Sequence, residues 1–344
     1  MAWYGKTHVD KLGESLVASL QNDLTAQESA ALDPQLFAPA EYDAAQAERG
    51  GYSNYSYWRS TLRVFWQNKM ARILLFLLGA ILIFTVIQPI LPGQHDHNTI
   101  FYSTVNDLPL KNQLPGQAEG FLWGTNSIGQ DLWARIWSGT RTSIFIGFVV
   151  ALSQCVIGIL VGVLWGYVRK VDRLFTEVYN IIDNIPRTII LILISYIMRP
   201  SMTTIILAMC LVGWVPMSRL IRNQIVIIRD RDYNLASRCL GTSTFRIILK
   251  NLLPYLVSVI MLQAALAVPA AITDEVFLTY IGLGLPLDTP SLGTLINAGR
   301  SLISDPRLQY QLLIPCVVLS VVTVCFYVIG NAFADAADPK NHVN

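Results

Sequence analysis

The chain has 344 residues, of which 53% are hydrophobic and 14% are charged, and its formal net charge is +2. Because soluble domains carry about 25% charged residues, this composition favours a protein embedded in a lipid bilayer. The small net charge and the scattered basic residues argue against a nucleic-acid-binding surface. The sequence has no Cys-x-x-Cys pair and no Gly-x-x-x-x-Gly-Lys-[Ser/Thr] loop, so it indicates neither a zinc or disulfide framework nor ATP hydrolysis by this chain.

The N-terminal part of the chain precedes the first long apolar run. Residues 1–50 are small, polar and acidic, which predicts a polar cytoplasmic extension and offers no apolar core for a cleavable signal peptide. Residues 51–70 alternate aromatic with basic side chains, and we expect them to form an amphipathic segment in the inner membrane interface. Stacking of a ligand on these aromatic residues is the alternative interpretation.

Six segments are candidates for membrane spans, since a spanning helix needs about 20 apolar residues. They are 71–91, 142–167, 174–198, 202–219, 255–279 and 311–333. The third is the least regular, because its apolar run covers only 188–198 and the helix must begin near Leu174 to cross. The spans divide the chain into a first membrane helix (71–91), an extracellular loop (92–141), a core with the other five spans (142–334) and a cytoplasmic tail (335–344).

Lysine and arginine residues near the span ends predict the orientation, because cytoplasmic loops are enriched in them. With the N-terminus inside, fourteen flank the cytoplasmic ends: Arg59, Arg63, Lys69, Arg72, Arg169, Lys170, Arg173, Arg219, Arg222, Arg229, Arg231, Arg238, Arg246 and Lys250. Six lie on the opposite side: Lys111, Arg135, Arg141, Arg199, Arg300 and Arg307. This asymmetry predicts that both termini are cytoplasmic.

A polar, basic segment, the elbow (residues 220–254), separates the fourth and fifth spans. Within it, Ala236 and Ser237 precede Gly241, and Pro254 follows later. Since glycine adopts backbone angles that are closed to other residues, this order predicts two short amphipathic helices joined by a glycine turn.

The third span contains polar residues at helical spacing: Asn180, Asp183, Asn184 and Arg187. Charged groups in a bilayer face a partner or a water-filled cavity, so one interpretation is a polar stripe that faces a transport pathway. The alternative is an ion pair between Asp183 and Arg187, one turn apart near the cytoplasmic interface. Pro186 predicts a kink in this helix, because it removes one backbone hydrogen bond.

The fifth span is rich in alanine, with Ala264 and Ala267 close to Pro269. Such a helix suits the centre of a pore that opens and closes, and it suits tight helix packing equally. Asp274 and Glu275 are neighbours near the outer end and point in different directions, which argues against a catalytic carboxylate pair. We expect Glu275 to be a hydrogen-bonded structural residue rather than a general base.

Two further patterns have structural interpretations. Gly158, Gly162 and Gly166 recur every four residues on the second span, which predicts close packing of that helix against a neighbour. The segment His95-Asp96-His97 lies just beyond the first span. A metal site there would need further ligands, so an exposed loop is the favoured interpretation.

Ordered motifs across these spans resemble one known family. They are the elbow and four segments: 123–132 (WGTNSIGQDL), 275–284 (EVFLTYIGLG), 290–293 (PSLG) and 335–339 (DAADP). On these motifs, the chain from about residue 55 to residue 340 resembles the C-type permease subunit of oligopeptide and dipeptide ABC importers. It looks most like the versions in lactic-acid bacteria and streptococci.

The resemblance implies an all-α integral membrane protein with six transmembrane helices and the type I ABC-importer permease fold. The elbow would be the EAA coupling loop between helices 4 and 5, which docks into an ATPase subunit. The residues that the resemblance assigns to this coupling are Asp232, Tyr233, Leu235, Ala236, Ser237, Gly241, Thr242 and Pro254. Leu235 and Ser237 depart from the EAA pattern, and Asn251 replaces its usual isoleucine.

The resemblance also implies partners and a mechanism in the bacterial cell membrane. The chain would pair with a second homologous permease, two ATPase subunits that use ATP and Mg²⁺ would bind it inside, and an extracellular substrate-binding protein would deliver peptide. Alternating access would carry the peptide between the two permeases. The chain itself is expected to bind no cofactor and no nucleic acid and to have no enzymatic activity. Candidate pathway-lining residues are Asn180, Asp183, Asn184, Ala264, Ala267 and Glu275.

Other functions remain open at this point. A permease for nickel or glutathione would share these motifs. An ion-coupled secondary transporter would need a paired inverted repeat, which the order of the spans does not indicate. A membrane enzyme would need convergent catalytic groups, for which only the Asp274-Glu275 pair and the outer histidines are candidates.

Overall fold

The computed structural model describes residues 57–104 and 107–337, which are helical apart from loops and three isolated β-bridges. The prediction of an all-α fold is confirmed. The predicted extension (1–50) and residues 338–344 of the predicted tail lie outside the described residues.

The first half of the described chain forms five helices. They are α1 (Tyr57–Gln67), α2 (Lys69–Ile87), α3 (Leu132–Tyr167), α4 (Arg169–Asp183) and α5 (Arg187–Ile197). α3 begins at Leu132, so residues 132–141, predicted within the extracellular loop, are the first turns of the helix that carries the second span. The helix starts there because the Asp131 side chain accepts the Trp133 N–H at 2.9 Å and caps it.

The second half forms six helices. They are α6 (Met202–Ile228), α7 (Asp232–Cys239), α8 (Thr244–Ile247), α9 (Leu253–Tyr280), α10 (Leu292–Gly299) and α11 (Tyr310–Ala337). A π-helical turn, Ile248–Leu252, joins α8 to α9, so that the chain is continuously helical from Thr244 to Tyr280.

Five helical segments in the described chain are long and apolar enough to cross a membrane, and a sixth crossing is present if α4 and α5 form one broken span. The five are Lys69–Ile90, Leu132–Tyr167, Met202–Ile228, Thr244–Tyr280 and Tyr310–Ala337. They contain the second, fourth, fifth and sixth predicted spans and all of the first except its last residue.

The predicted third span is two helices, because α4 and α5 meet at an angle of 77°. The predicted kink is therefore confirmed, and it is sharp enough to divide the helix. Pro186 cannot donate a backbone hydrogen bond and disfavours helical angles at the residue before it, which ends α4. α5 alone is about 16 Å long, less than the roughly 30 Å of a bilayer core.

Glycines bring α3 and α6 into close contact. A Cβ at Gly158 would lie 2.6 Å from the Met217 side chain, and one at Gly162 would lie 2.6 Å from the Ser218 carbonyl oxygen. At Gly166 the nearest atom, on Ile225, would be 2.9 Å away. These distances are too short for any larger residue, so the prediction that this glycine face is structural is confirmed.

The loop between α2 and α3 is fastened to the start of α11. Gln311, at the start of α11, donates to the Thr125 carbonyl and to the Asn112 side chain, both at 3.2 Å. Asn126 accepts the Gln130 N–H at 2.9 Å inside the motif that precedes α3. The WGTNSIGQDL segment therefore shapes this loop and starts α3.

Candidate functional sites: the elbow and a central cavity

The elbow begins with the last residues of α6, up to Ile228, and continues as the short helix α7, which ends at the predicted glycine turn. α7 ends in a Schellman motif, in which the Thr242 N–H donates to the Ser237 carbonyl at 3.0 Å and the Gly241 N–H donates to the Arg238 carbonyl at 2.9 Å. Gly241 has a φ of +78°, which favours glycine. A Cβ at this position would meet no atom within 4 Å, so the backbone angle and not space requires the glycine.

The second half of the elbow is not a separate short helix, and this part of the prediction is wrong. The segment from Thr244 runs through the π-helical turn into the fifth span. Pro254 stands at the second position of α9, where it has no N–H to donate and its ring crowds the carbonyl of Lys250. A π-helical turn widens the helix at this point, which keeps the elbow continuous with the membrane helix.

Two asparagines that lie outside the predicted coupling set hold α7 in place. The buried Asn234 amide donates to the Ile228 carbonyl at 2.8 Å and its oxygen accepts from the Asn251 amide at 3.0 Å. These bonds join the end of α6, the middle of α7 and the π-helical turn. Sequence spacing gives no signal for this contact, because the residues lie on different helical segments that only the fold brings together.

A charged cluster joins the elbow to the start of α4. Asp230 contacts Arg169 at 3.0 Å, Arg229 at 3.3 Å and Arg238 at 3.7 Å. Desolvation alone would raise the pKa of Asp230, but hydrogen bonds from Arg169 and Arg229 outweigh it and hold this pKa below its usual value.

The outer surface of the elbow exposes large apolar side chains. Leu240 is 85% exposed and Phe245 is 71% exposed, and Tyr233 and Leu235 are about half exposed. Apolar groups exposed together in this way mark interaction surfaces. Of the other predicted coupling residues, Asp232, Ala236, Gly241 and Pro254 are exposed, and Ser237 and Thr242 are half-buried.

A cavity of about 250 Å³ lies among α3, α5, α6 and α9. Its polar lining consists of Gln154, Arg187 and Gln263. Its other lining residues are small, apolar or sulfur-containing: Cys155, Gly213, Pro216, Met217, Leu266, Ala267 and Ala270. A Cβ at Gly213 would lie 2.0 Å from the Gln154 side-chain nitrogen, so glycine at 213 provides the room for this glutamine.

Asp183 and Arg187 of the third predicted span pair with residues of other helices and not with each other. Arg187 lies 2.8 Å from Asp274 of α9, and Asp183 lies 3.6 Å from Arg219 of α6. The alternative ion pair between Asp183 and Arg187 is therefore wrong. The bend between α4 and α5 separates the two residues that an unbroken helix would have placed one turn apart.

The six predicted pathway-lining residues fall in four places, one of which is the buried hydrogen-bond network around Glu275. Asn180, Asp183 and Asn184 are exposed on the surface of α4 and the bend, outside the lining of the central cavity. Ala267 lines that cavity, whereas Ala264, one turn before it, is half-buried outside the lining.

Glu275 lies inside a closed hydrogen-bond network. Its carboxylate accepts from Ser143 at 3.0 Å, from Thr279 at 3.0 Å and from Ser291 at 2.8 Å, and the residue is fully buried. A Cβ at Gly293 would lie 2.8 Å from this carboxylate. Glu275 thus joins α3, α9 and the start of α10, which confirms the expectation of a hydrogen-bonded structural residue and removes it from the cavity surface.

The outer histidines belong to the loop structure. His95 Nδ1 lies 2.8 Å from the Asp131 carboxylate, which accepts its hydrogen bond, and the ring packs against Phe101 and Phe121. Partial burial lowers the pKa of His97 despite its contact with Asp96. The interpretation of this segment as a simple exposed loop is therefore wrong for His95, which holds the residue that caps α3.

These helices define a class, a multi-pass α-helical membrane protein with a helical elbow between two of its long apolar helices. Residues 156–343 match the family described as binding-protein-dependent transport system inner membrane component. Residues 56–115 match the N-terminal TM domain of oligopeptide transport permease C. The chain belongs to this family of binding-protein-dependent transport components and is a permease subunit.

Named relatives match almost the whole chain. The oligopeptide transport system permease protein AmiD of Streptococcus pneumoniae is 37% identical over 90% of this chain and 99% of its own. The dipeptide transport system permease protein DppC of Bacillus subtilis is 35% identical over 83% of this chain and 86% of its own. Among solved structures, an inward-facing MetNI methionine ABC transporter chain matches with a TM-score of 0.49 and 20% identity, over 60% of this chain and 96% of that chain.

Proposed function

We propose that the chain is one of two permease subunits of an ATP-driven ABC importer that takes up peptides. The observation that carries the proposal is the match to AmiD, an oligopeptide permease, at 37% identity over nearly the full length of both chains. The match to a dipeptide permease supports the same cargo class. The fold would be of the type I importer kind, with a second, homologous permease as the partner.

In this proposal, the elbow docks into an ATPase subunit that binds ATP and Mg²⁺. Its exposed apolar residues, among them Leu240 and Phe245, would be covered by the ATPase. Its attachment through Asn234 supports a mechanical role, because a hydrogen-bonded helix follows its anchors as one body. ATP-driven closure of the two ATPases would thus move the membrane helices between inward-open and outward-open arrangements.

The central cavity would be this subunit's part of the peptide pathway. Its mixture of two amides, one guanidinium and small apolar side chains suits peptide backbones of varied sequence. We assign Ala267 to the pathway, and we place Asn180, Asp183 and Asn184 where the second permease would complete it. Glu275 and Ala264 are assigned to helix packing in this conformation.

Both termini would be cytoplasmic, and the loop between α2 and α3 would face the extracellular binding protein. The support is the excess of lysine and arginine on the elbow side of the spans. This orientation requires that α4 and α5 together cross the membrane once.

The test is reconstitution of the chain with its partner permease, ATPases and binding protein in liposomes. ATP-dependent accumulation of a labelled tripeptide is the expected result, with unlabelled peptide as competitor. Labelled nickel and glutathione are run in parallel. Uptake of either of these without peptide uptake would replace the proposed cargo, and uptake driven by an ion gradient without ATP would overturn the importer class.

A further inference from the structure

The central cavity contains a charge whose partner is close but poorly aligned. Arg187 lines the cavity, and its guanidinium Nη2 lies 2.8 Å from the Asp274 Oδ2. Neither of these two atoms makes a hydrogen bond of good geometry within the described residues, and the buried Arg187 Nε has no partner there either. The pair is thus held by charge attraction without the parallel double hydrogen bond that arginine and carboxylate groups form.

The position of Arg187 adds to the positive potential of the cavity. It is the first residue of α5, so its charge lies beside the positive end of that helix dipole. The other acidic residue near the bend, Asp183, pairs with Arg219 and not with Arg187. Asp274 is one turn beyond Ala270, which lines the cavity, so the aspartate stands at the edge of the same space.

We propose that Arg187 binds the carboxylate of the peptide in this cavity and that Asp274 is the internal carboxylate that occupies the guanidinium when the cavity is empty. The inference rests on the proposed function of peptide uptake. A cargo carboxylate that replaces Asp274 leaves Arg187 paired, so the exchange strands no positive charge, and the displaced Asp274, whose side chain is 23% exposed, would be solvated at the edge of the cavity. A guanidinium suits this role because its planar fork can bind a carboxylate through two parallel hydrogen bonds.

The amides of Gln154 and Gln263 complete the site. Both line the cavity with Arg187, and each offers two N–H donors and one carbonyl acceptor, which match the groups of a peptide bond. An arrangement of one fixed charge and two adaptable amides would hold the end of a peptide while tolerating different side chains.

Cys155, which lines the same cavity, provides a native reporter for binding. The assay is the rate at which N-ethylmaleimide alkylates Cys155 in the purified full complex, measured by mass spectrometry of the Cys155 segment at rising concentrations of peptide. The probes are trialanine, its C-terminal amide, and Ala-Glu-Ala amide. We expect trialanine to slow alkylation at a concentration about tenfold or more below that of its amide, the effect of losing one charge-assisted contact.

Substitutions separate binding from packing. The doubly neutral Arg187→Gln/Asp274→Asn variant leaves no unpaired charge. In this variant, trialanine and trialanine amide should slow the alkylation of Cys155 at the same concentration. Asp274→Asn alone removes the internal competitor, so it should lower the trialanine concentration that protects Cys155 from alkylation. If the ion pair were merely structural, this substitution would instead raise the protective concentration of both trialanine and its amide. Arg187→Lys keeps the positive charge but not the planar guanidinium fork. Its preference for trialanine over trialanine amide should therefore lie between those of the unmodified protein and the neutral variant.

The outcomes are decisive in each arm. Protection by Ala-Glu-Ala amide equal to that by trialanine would assign the site to any cargo carboxylate, and weaker protection would assign it to the C-terminus. Equal protection by trialanine and its amide, or no protection by either, would overturn the inference. ATP-dependent uptake of trialanine by the same unmodified complex distinguishes this failure from a failure of the proposed function, since uptake would then persist.

Discussion

Gly241→Val tests whether the elbow transmits the ATPase movement, and Gly282 provides a matched control. Gly241 ends α7 with a φ of +78°, and Gly282 ends α9 with a φ of +84° in the same Schellman arrangement. A Cβ at either glycine would meet no atom within 4 Å. Valine at each position therefore adds backbone strain of about 1–3 kcal/mol without a steric clash.

The expected size of the effect on coupling follows from this backbone strain. A penalty of about 1–3 kcal/mol shifts the population of the left-handed turn by roughly fivefold to 150-fold. At residue 241 the relaxed chain would move α7 relative to α8, and the bonds of Asn234 and the contacts of Arg238 with Asp230 and the Arg229 carbonyl would oppose the movement. At residue 282 the same strain falls at the far end of α9 and leaves the elbow in place.

The assay is the number of peptides imported per ATP hydrolysed by the full complex in liposomes. Gly241→Val should insert normally and lower this ratio at least about fivefold, while Gly282→Val should keep it near that of the unmodified protein. Gly241→Asn should retain more coupling than valine, because asparagine tolerates left-handed backbone angles. Unchanged coupling in Gly241→Val, or equal loss in both valine variants, would refute the assignment of residues 232–254 as the docking site.

Further predictions concern orientation, the elbow anchor, the α4 surface and pH. With native thiols removed, a cysteine at Thr289 should react with an impermeant thiol reagent in intact cells and one at Ser237 should not; the reverse would exclude cytoplasmic termini. Asn234→Ala should lower the free energy of unfolding by about 1–3 kcal/mol, because it leaves the Ile228 carbonyl and the Asn251 amide without their partner. Ser237→Ala should have little effect in the same melting experiment. Asp183→Ala should lower peptide uptake with little loss of stability, since an exposed ion pair contributes about 0–1 kcal/mol, and failure to accumulate in the membrane would contradict a pathway role. Asp230 has a depressed pKa in the folded protein, so its contribution to folding stability should be complete above its unfolded pKa and should fall as the pH drops below about 4. Thermal melts at several pH values should show this dependence in the unmodified protein, and Asp230→Asn should remove the part that Asp230 contributes.

The sequence predicts the helices well because lipid imposes a simple rule on apolar length. It predicts their ends less well, since hydropathy marks the part of a helix in lipid and not the part in water. α3 extends back to Leu132 because Asp131 caps it there, and α6 continues to Ile228 beyond the predicted end at 219. Both extensions contain arginines, Arg135 and Arg141 in α3 and Arg222 in α6, at which a span prediction based on apolar length stops.

Local backbone signals are the other sequence feature from which the structure can be predicted reliably. Gly241 and Pro186 each act on the few residues around them, and the structure has a turn at one and a break at the other. The partners of polar side chains are not local. Arg187 pairs with Asp274 and Asn234 with Asn251 because helices distant in sequence pack together, so spacing along one helix suggested the wrong partner for Arg187.

These contacts attach both members of the cavity ion pair to the elbow. Asp274 lies on the continuous helix that starts at Thr244 in the elbow. Arg187 follows α4, whose first residue, Arg169, contacts Asp230 and whose Asp172 forms a double hydrogen bond with Arg222. In the proposed mechanism, a displacement of the elbow reaches Arg187 and Asp274 through two different helices. Since helices move as rigid bodies, any difference between the two movements changes the 2.8 Å separation of the pair, and the charge that the cavity presents to a peptide would change with the state of the ATPase.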